Sequence, residues 1–281
     1  MNAFPPRMFA AALCAASLAL AAAVAAAADK PYEPRVGQDG KDVIWVPNPE
    51  VMVDKMLDMA KVTAQDFVID LGSGDGRNVI GAAKRGARAR GVEFNPDLVE
   101  HSRRLAAQAG VAGLAQFVQG DMFAADVSPA SVLALFLLPD NLRKLTPKLL
   151  DLKPGSRIVS NTYEIPGWTA DVSETVRGEC AAFCIVFLYI VPAKVAGSWR
   201  MPEGELTLTQ DFQRLGGNFE FNGIHLPLEN ARMNGAEIRF TANGVEYTGR
   251  VEGDRMQGTA RGRSGTTAWR AERMGTAGAA P

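Results

Sequence analysis

At 281 residues the chain is long for one domain and comfortable for two. Its composition is 47% hydrophobic and 22% charged with a formal net charge of -1, that of a globular protein with enough apolar mass for real cores. Acidic and basic residues are interspersed along most of the chain, which excludes the basic stripe by which proteins neutralise phosphates, so no nucleic-acid partner is expected.

The N-terminus differs in kind from the rest. Arg7 is the only charge ahead of an Ala-rich apolar run, Met8 to Ala28, that ends in small residues before Asp29. That pattern predicts a cleaved secretory signal over 1–28 and an exported, periplasmic protein. The alternative is an uncleaved anchor through 8–28, since about 20 apolar residues can span a bilayer, and only then is a membrane partner expected. Cys14 follows Leu13 rather than a small residue, so it does not resemble a lipid-modified cysteine and leaves with the signal. Cys180 and Cys184 remain, an even number in an oxidising compartment. Residues four apart on a straight strand lie about 13 Å from each other. A disulfide needs its Cα atoms within about 7 Å, so this pair can form only if residues 181–183 turn tightly. The other reading is two buried, reduced thiols.

Residues 29–41, rich in Pro, Gly and charge, are expected to form an extended linker. After the short apolar run Val43 to Val46 and its Pro47-Asn48-Pro49 stop, Val51, Val53, Met56, Leu57 and Ala60 recur at helical spacing. Phe67 to Leu71 then reads as a buried strand, Asn78 to Arg85 as a helix, Ala87 to Phe94 as a strand and Pro96 to Ala109 as a helix. Strands over Ala115 to Gln119, Ser131 to Leu138 and Arg157 to Asn161 follow, with a helix over Asn141 to Leu150. The apolar run Cys184 to Val191 is too short to span a membrane and fits a further buried strand. Alternation of this kind predicts an α/β fold, a Rossmann-like sheet covered by helices, over residues 42–195.

From residue 196 to 274 the pattern changes to short alternating segments, such as Leu206 and Leu208 with Thr207 and Thr209 between and after them. Asn234-Gly235, Asn243-Gly244, Gly253-Asp254 and Gly262 to Gly265 mark hairpin tips at about ten-residue spacing, the mark of a small antiparallel meander or barrel. Trp199 and Trp269, near its ends, read as closing or core residues. The small-residue tail, 275–281, is expected to be disordered.

The segment Asp70-Leu71-Gly72-Ser73-Gly74-Asp75-Gly76 carries the strongest chemical information. It ends a strand and opens a helix, where glycines let backbone turn sharply and approach a ligand. A dinucleotide site uses G-x-G-x-x-G to receive a pyrophosphate. Here the spacing is G-x-G-x-G, and Asp70 and Asp75 beside the loop would repel a pyrophosphate. They favour a ligand bearing an ammonium and a sulfonium, which points to S-adenosyl-L-methionine. Glu93, about 20 residues on at the end of the next strand, stands where a carboxylate accepts from ribose hydroxyls. Asp121 can take the adenine amino group and Met122 can pack on the ring. The expected donor set is therefore Asp70, Gly72, Ser73, Gly74, Gly76, Glu93, Asp121 and Met122, with no metal.

The stretch Asp70 to Arg77, the segment Val92 to Val99 with Ser102-Arg103 after it, and Gly120-Asp121-Met122-Phe123 resemble class I methyltransferases. More narrowly, they resemble bacterial relatives of the membrane-anchored mitochondrial lysine methyltransferases that modify an inner-membrane carrier and an ATP synthase subunit. The similarity covers about Val43 to Trp168. It implies that Val46-Pro47-Asn48-Pro49 lies near the ligand, that Leu135 to Asn141 lines the acceptor side, and that a protein lysine accepts the methyl group. Gly197-Ser198-Trp199 and Trp269-Arg270-Ala271 are similar to the closing strands of β appendages in some exported bacterial methyltransferases.

Transfer from a sulfonium needs alignment and desolvation of the nucleophile more than acid or base catalysis. An amine with a free pKa of about 10.4 must first lose a proton, and the apolar Phe136-Leu137-Leu138-Pro139 suits that. Asp140 and Asn141 are the nearest polar candidates for catalysis, although helix capping explains them as well. The chain lacks an Asn-Pro-Pro-Tyr element, which lowers amide and base acceptors. His101 and His225 have no ligand cluster near them in sequence. Two alternatives stay open: a small-molecule acceptor, or an exported non-catalytic binding module, because export carries the chain away from where the donor is made.

Overall fold

The structure, a computed structural model, describes residues 32–178 and 180–275. The signal expected over 1–28, the first residues of the expected linker and all but Gly275 of the expected tail lie outside the described residues. The chain divides into Met1–Glu33 and a compact unit, Pro34–Pro281, that contains every element below.

The first sheet has seven strands: β1 (Phe67–Leu71), β2 (Arg88–Glu93), β3 (Ala115–Gln119), β4 (Val132–Leu135), β5 (Arg157–Asn161), β6 (Val172–Thr175) and β7 (Ile185–Ile190), in the order β3-β2-β1-β4-β5-β7-β6. The first five strands run parallel and β7 runs antiparallel to β5. Side chains on a strand alternate between faces, so each buried run supplies two apolar layers. Val68, Val132, Ala134 and Val159 face one layer with helices α1 (Glu50–Met59), α2 (Arg77–Lys84) and α3 (Pro96–Gln108). Ile69, Leu71, Leu133, Leu135 and Ile158 face the other, covered by Leu142, Leu145 and Leu149 of α4 (Pro139–Leu150). The chain order reverses between β1 and β4, and a crevice opens beyond the strand ends there, where ligands of open α/β sheets bind.

The strand expected over Ser131 to Leu138 ends early, at Leu135, and the helix expected from Asn141 begins at Pro139. Proline is preorganised for a first helical turn, and the cap position falls on Leu138. Asp140 and Asn141 therefore lie inside the first turn and do not cap it. The fully exposed β6, Val-Ser-Glu-Thr, carries no alternating pattern and went unread in the sequence.

The second sheet holds β8 (Gly197–Met201), β9 (Gly204–Asp211), β10 (Arg214–Phe221), β11 (Ile224–Pro227), β12 (Glu229–Asn234), β13 (Glu237–Ala242), β14 (Val245–Glu252), β15 (Arg255–Gly262) and β16 (Gly265–Arg273). Because β9 pairs with both β8 and β10, eight of these strands close into an antiparallel barrel, with β11 attached to β10. The four Gly-containing tips fall between paired strands as expected. Trp199 and Trp269 are buried in the barrel core, donating their indole N–H groups to Val195 O at 2.8 Å and Thr248 O at 3.0 Å. Arg273 pairs with Trp199 where β16 meets β8, so Trp199 does sit at the closing seam.

The two sheets share contacts. Trp168 stacks on Phe212 with ring centroids 5.1 Å apart, Gln213 Nε2 donates to Thr169 O at 2.6 Å, and Ala193 N donates to Gly235 O at 2.8 Å. Gly235, at a φ of 60°, lies so close to Gly155 that a Cβ there would sit 2.9 Å from the Gly155 Cα.

Candidate methyl-donor and acceptor site

The glycine loop after β1 is fixed by backbone contacts to β2. Gly72 N and Ser73 N both donate to Val92 O, at 2.8 and 3.1 Å, and Gly76 N donates to Ser73 O at 2.8 Å. Gly72, Gly74 and Gly76 all have φ between 55° and 80°, the left-handed region in which a Cβ is strained. Gly72 and Gly74 line a pocket of about 850 Å³, its open mouth included, together with Asp70, Ser73, Asp75, Glu93, Asp121, Met122, Phe136 and Leu137. Gly76 does not line it. A Cβ there would come within 2.4 Å of the Phe117 ring, so this glycine lets α2 pack against β3.

Asp70 is buried at the end of β1 and accepts from Asn78 Nδ2 at 3.1 Å. Burial holds its carboxyl well above the usual range; the Asn78 bond opposes this, and Glu93 and Asp75 add to it. Asp75 is committed elsewhere, because Arg77 Nε donates to its Oδ1 at 3.0 Å and Arg77 Nη2 to its Oδ2 at 2.5 Å. Of the two carboxylates beside the loop, Asp70 is thus the one left to meet a cation. Glu93 accepts from Gly74 N and Asn95 N, both at 2.9 Å, and so braces the loop it faces. A carboxylate has roughly four lone-pair sites, which leaves room for ribose hydroxyls.

Asp121 accepts from Phe123 N at 2.8 Å and pairs with Lys41 Nζ at 2.5 Å. The Lys41 hydrogen bond holds the Asp121 carboxyl below its usual range, and Asp121 in turn raises Lys41. Lys41 also lies 5.0 Å from the Phe94 ring centroid. It belongs to a strap, residues 37–48, that folds back on itself through Gly37 N to Trp45 O and Trp45 N to Gln38 O, each at 2.9 Å. The strap lays Trp45 against Gly74. The end of the expected extended linker is therefore part of the pocket wall, as Asp39, Gly40 and Lys41 line it.

Beneath the strap runs a buried amide chain that sequence reading missed. Asn161 Nδ2, at the end of β5, donates to Asn48 Oδ1 at 2.8 Å, and Asn48 Nδ2 donates to Asn78 Oδ1 at 3.0 Å. Asn78 then reaches Asp70, and Arg77 Nη1 donates to Asn48 O at 2.6 Å. A polar residue closing a buried strand, as Asn161 does, was the available signal.

S-adenosylmethionine fits these residues. Among the described residues Asp70 is a buried carboxylate without a cation, and Ser73 Oγ, buried beside the pocket, has no hydrogen-bond partner. A ligand with an ammonium and polar oxygens resolves both. The catalytic candidates fare differently. Asp140 is exposed and ion-paired to Arg143, Asn141 is buried, and neither lines the pocket. Among the described residues no cluster could hold a metal ion. His101 contacts Arg104, and His225 is exposed in β11.

The model of the ANTKMT methyltransferase domain matches residues 70–172, which begin at Asp70 and hold the glycine loop. A protein-lysine N-methyltransferase from Saccharolobus islandicus is 41% identical over 153 residues, covering 53% of this chain and 94% of that protein. The chain belongs to the family of this relative and is an S-adenosylmethionine-dependent methyltransferase. The adenine nucleotide translocase lysine N-methyltransferase of Mus musculus is 37% identical over 103 residues, which cover 36% of this chain but only 45% of that protein. Among solved structures, an RNA methyltransferase from Salinibacter ruber, in complex with S-adenosyl-L-homocysteine, is 43% identical over 53% of this chain and 96% of that one, with a TM-score of 0.50. The methyltransferase thus has relatives whose names carry different acceptors, and the family model stops before the barrel.

Proposed function

We propose that this methyltransferase modifies the ε-amine of a protein lysine, and that it does so outside the cytoplasm. The charge of the pocket carries the first reading. Asp39, Asp42, Asp70, Asp75, Glu93 and Asp121 line it against Lys41 and Arg77, a balance that attracts a cationic side chain and repels a phosphate backbone. The relatives named for lysine support the same acceptor, and the charge argues against carrying over the RNA acceptor of the Salinibacter protein.

Bound in this crevice, S-adenosylmethionine supplies an already activated methyl group. The chain's own residues do the rest. Asp70 and the glycine loop hold the donor end, Glu93, Asp121 and Met122 the nucleoside end, and Phe136 with Leu137 present an apolar wall to the incoming amine. Apolar surroundings disfavour the ammonium form, so the amine sheds its proton to solvent as it enters. No side chain of the pocket is needed as a base.

Export is supported by the signal pattern of residues 1–28 and by the bond between Cys180 and Cys184, with Cα atoms 5.7 Å apart, since disulfides persist in oxidising compartments. One experiment addresses both readings. The full-length gene is expressed, the exported fraction is incubated with isotopically labelled S-adenosylmethionine, and its peptides are read by mass spectrometry. The expected result is an enzyme beginning at Asp29 and label on lysine ε-nitrogens. Label confined to small molecules or RNA contradicts the acceptor, and an enzyme confined to the cytoplasm contradicts export.

A further inference from the structure

The hairpin that joins β6 to β7 projects beside the acceptor side of the pocket, and its tip carries features that its packing into the sheet does not need. Val176 N donates to Cys184 O at 2.8 Å, closing the base of the tip. Cys180 and Cys184 are bonded across it. The turn that brings them together is made at Phe183, whose φ of 62° is in the left-handed region. For a bulky aromatic residue this is an outlier that costs about 1 kcal/mol or more and persists only where surroundings enforce it. Phe183 is nevertheless 38% exposed, so burial does not account for it. Its ring packs edge-on against Phe136 with centroids 5.3 Å apart, and Phe136 is a wall of the pocket.

We infer that Phe183, held by the Cys180–Cys184 bond, is a positioning residue for the methyl acceptor: it fixes the Phe136 ring as one wall of the channel through which the acceptor chain reaches the donor. The inference rests on the reading of Phe136 and Leu137 as the acceptor side, and it extends that side to a part of the chain outside residues 70–172. Phe136 sits between β4 and α4, where β4 has already ended, and its half-buried ring has Phe183 packed against it. Removing Phe183 frees Phe136 to rotate, and opening the disulfide frees Phe183 to leave its strained backbone conformation. Neither change touches Asp70, Glu93 or Asp121, so the donor site is unaltered.

The test uses the mature full chain and three ligands measured by calorimetry: S-adenosylhomocysteine, an analogue whose sulfonium carries a butyl chain in place of the methyl group, and one whose chain ends in an amine. The wild type binds both chain analogues tighter than S-adenosylhomocysteine. In Phe183→Ala and in the double variant Cys180→Ser/Cys184→Ser that gain falls by roughly five-fold, the worth of one aromatic pair, while the affinity for S-adenosylhomocysteine is unchanged. Phe183→Tyr restores the gain. A merely structural role would lower all three affinities together or none. Equal gains in the wild type and both variants overturn the inference, as does a wild type that gains nothing from either chain. If the butyl analogue gains and the amine analogue binds weakly even at high pH, the channel stands and the lysine acceptor fails.

Discussion

Asp70 is where the cost of keeping a cation site ready is concentrated. Its carboxyl is raised by burial first, with Glu93 and Asp75 adding to the effect. A folded-state pKa above the unfolded value means the folded protein holds the extra proton in the interval between the two, so stability falls as pH rises through that interval. Asp70→Asn removes the titration while keeping an acceptor for Asn78 Nδ2. Thermal melts without ligand should show the variant matching the wild type in acid and exceeding it near neutrality; a variant less stable at neutral pH contradicts this. Donor affinity of the wild type should rise with pH over the same interval, because the ammonium of the donor favours the ionised form. Asp70, Glu93, Asp121 and Met122 were singled out in the sequence because donor chemistry asks for those residue types near strand ends, and the fold brings all four to one pocket. Lys41 was not: it lies in 29–41, which read as a linker, and it reaches Asp121 only because residues 37–48 fold back. Asn48 lies in the Val46–Pro49 segment that the resemblance set near the ligand, but its amide chain to Asn78 and Asn161 has no local pattern.

Among the elements, the parallel strands were the most legible, because apolar residues concentrate where a strand is covered by helices, continuously in β1 and on one face in the edge strand β3. Phe67–Leu71, Ala115–Gln119 and Arg157–Asn161 match their sequence-based limits. The exposed β6 lacked any such constraint. The seat of α2 depends on Gly76, expected to face the ligand and found to face Phe117 instead; spacing in a G-x-G-x-G loop does not say which glycine serves packing. Gly76→Ala must force a left-handed alanine against the Phe117 ring, 2.4 Å from the new Cβ. The expected loss is about 2 kcal/mol or more by denaturant titration. An Ala variant as stable as the wild type would return Gly76 to a purely ligand-facing role.

For the whole molecule, the barrel was legible as an antiparallel unit from its turn residues, but its closure was not. Closure depends on β16 finding β8, some 60 residues earlier by the strand limits, and on β9 pairing with both neighbours. Nor did the sequence announce that the barrel leans on the first sheet through Trp168 and Phe212. These shared contacts predict a single cooperative unfolding transition. Phe212→Ala should lower it by roughly 4–8 °C, as expected for about 2 kcal/mol in a chain of this size. Two well-separated transitions in the wild type would show that the sheets unfold independently.

Donor binding turns on Asp70 and the glycine loop, and calorimetric titration with S-adenosylmethionine tests that most directly. The protein should bind the donor in the micromolar range, and Asp70→Asn, folded and at least as stable at neutral pH, should bind at least ten-fold more weakly, about 1.4 kcal/mol. Equal affinity in the two proteins, or no binding by a well-folded wild type, would place the donor elsewhere and contradict the site described.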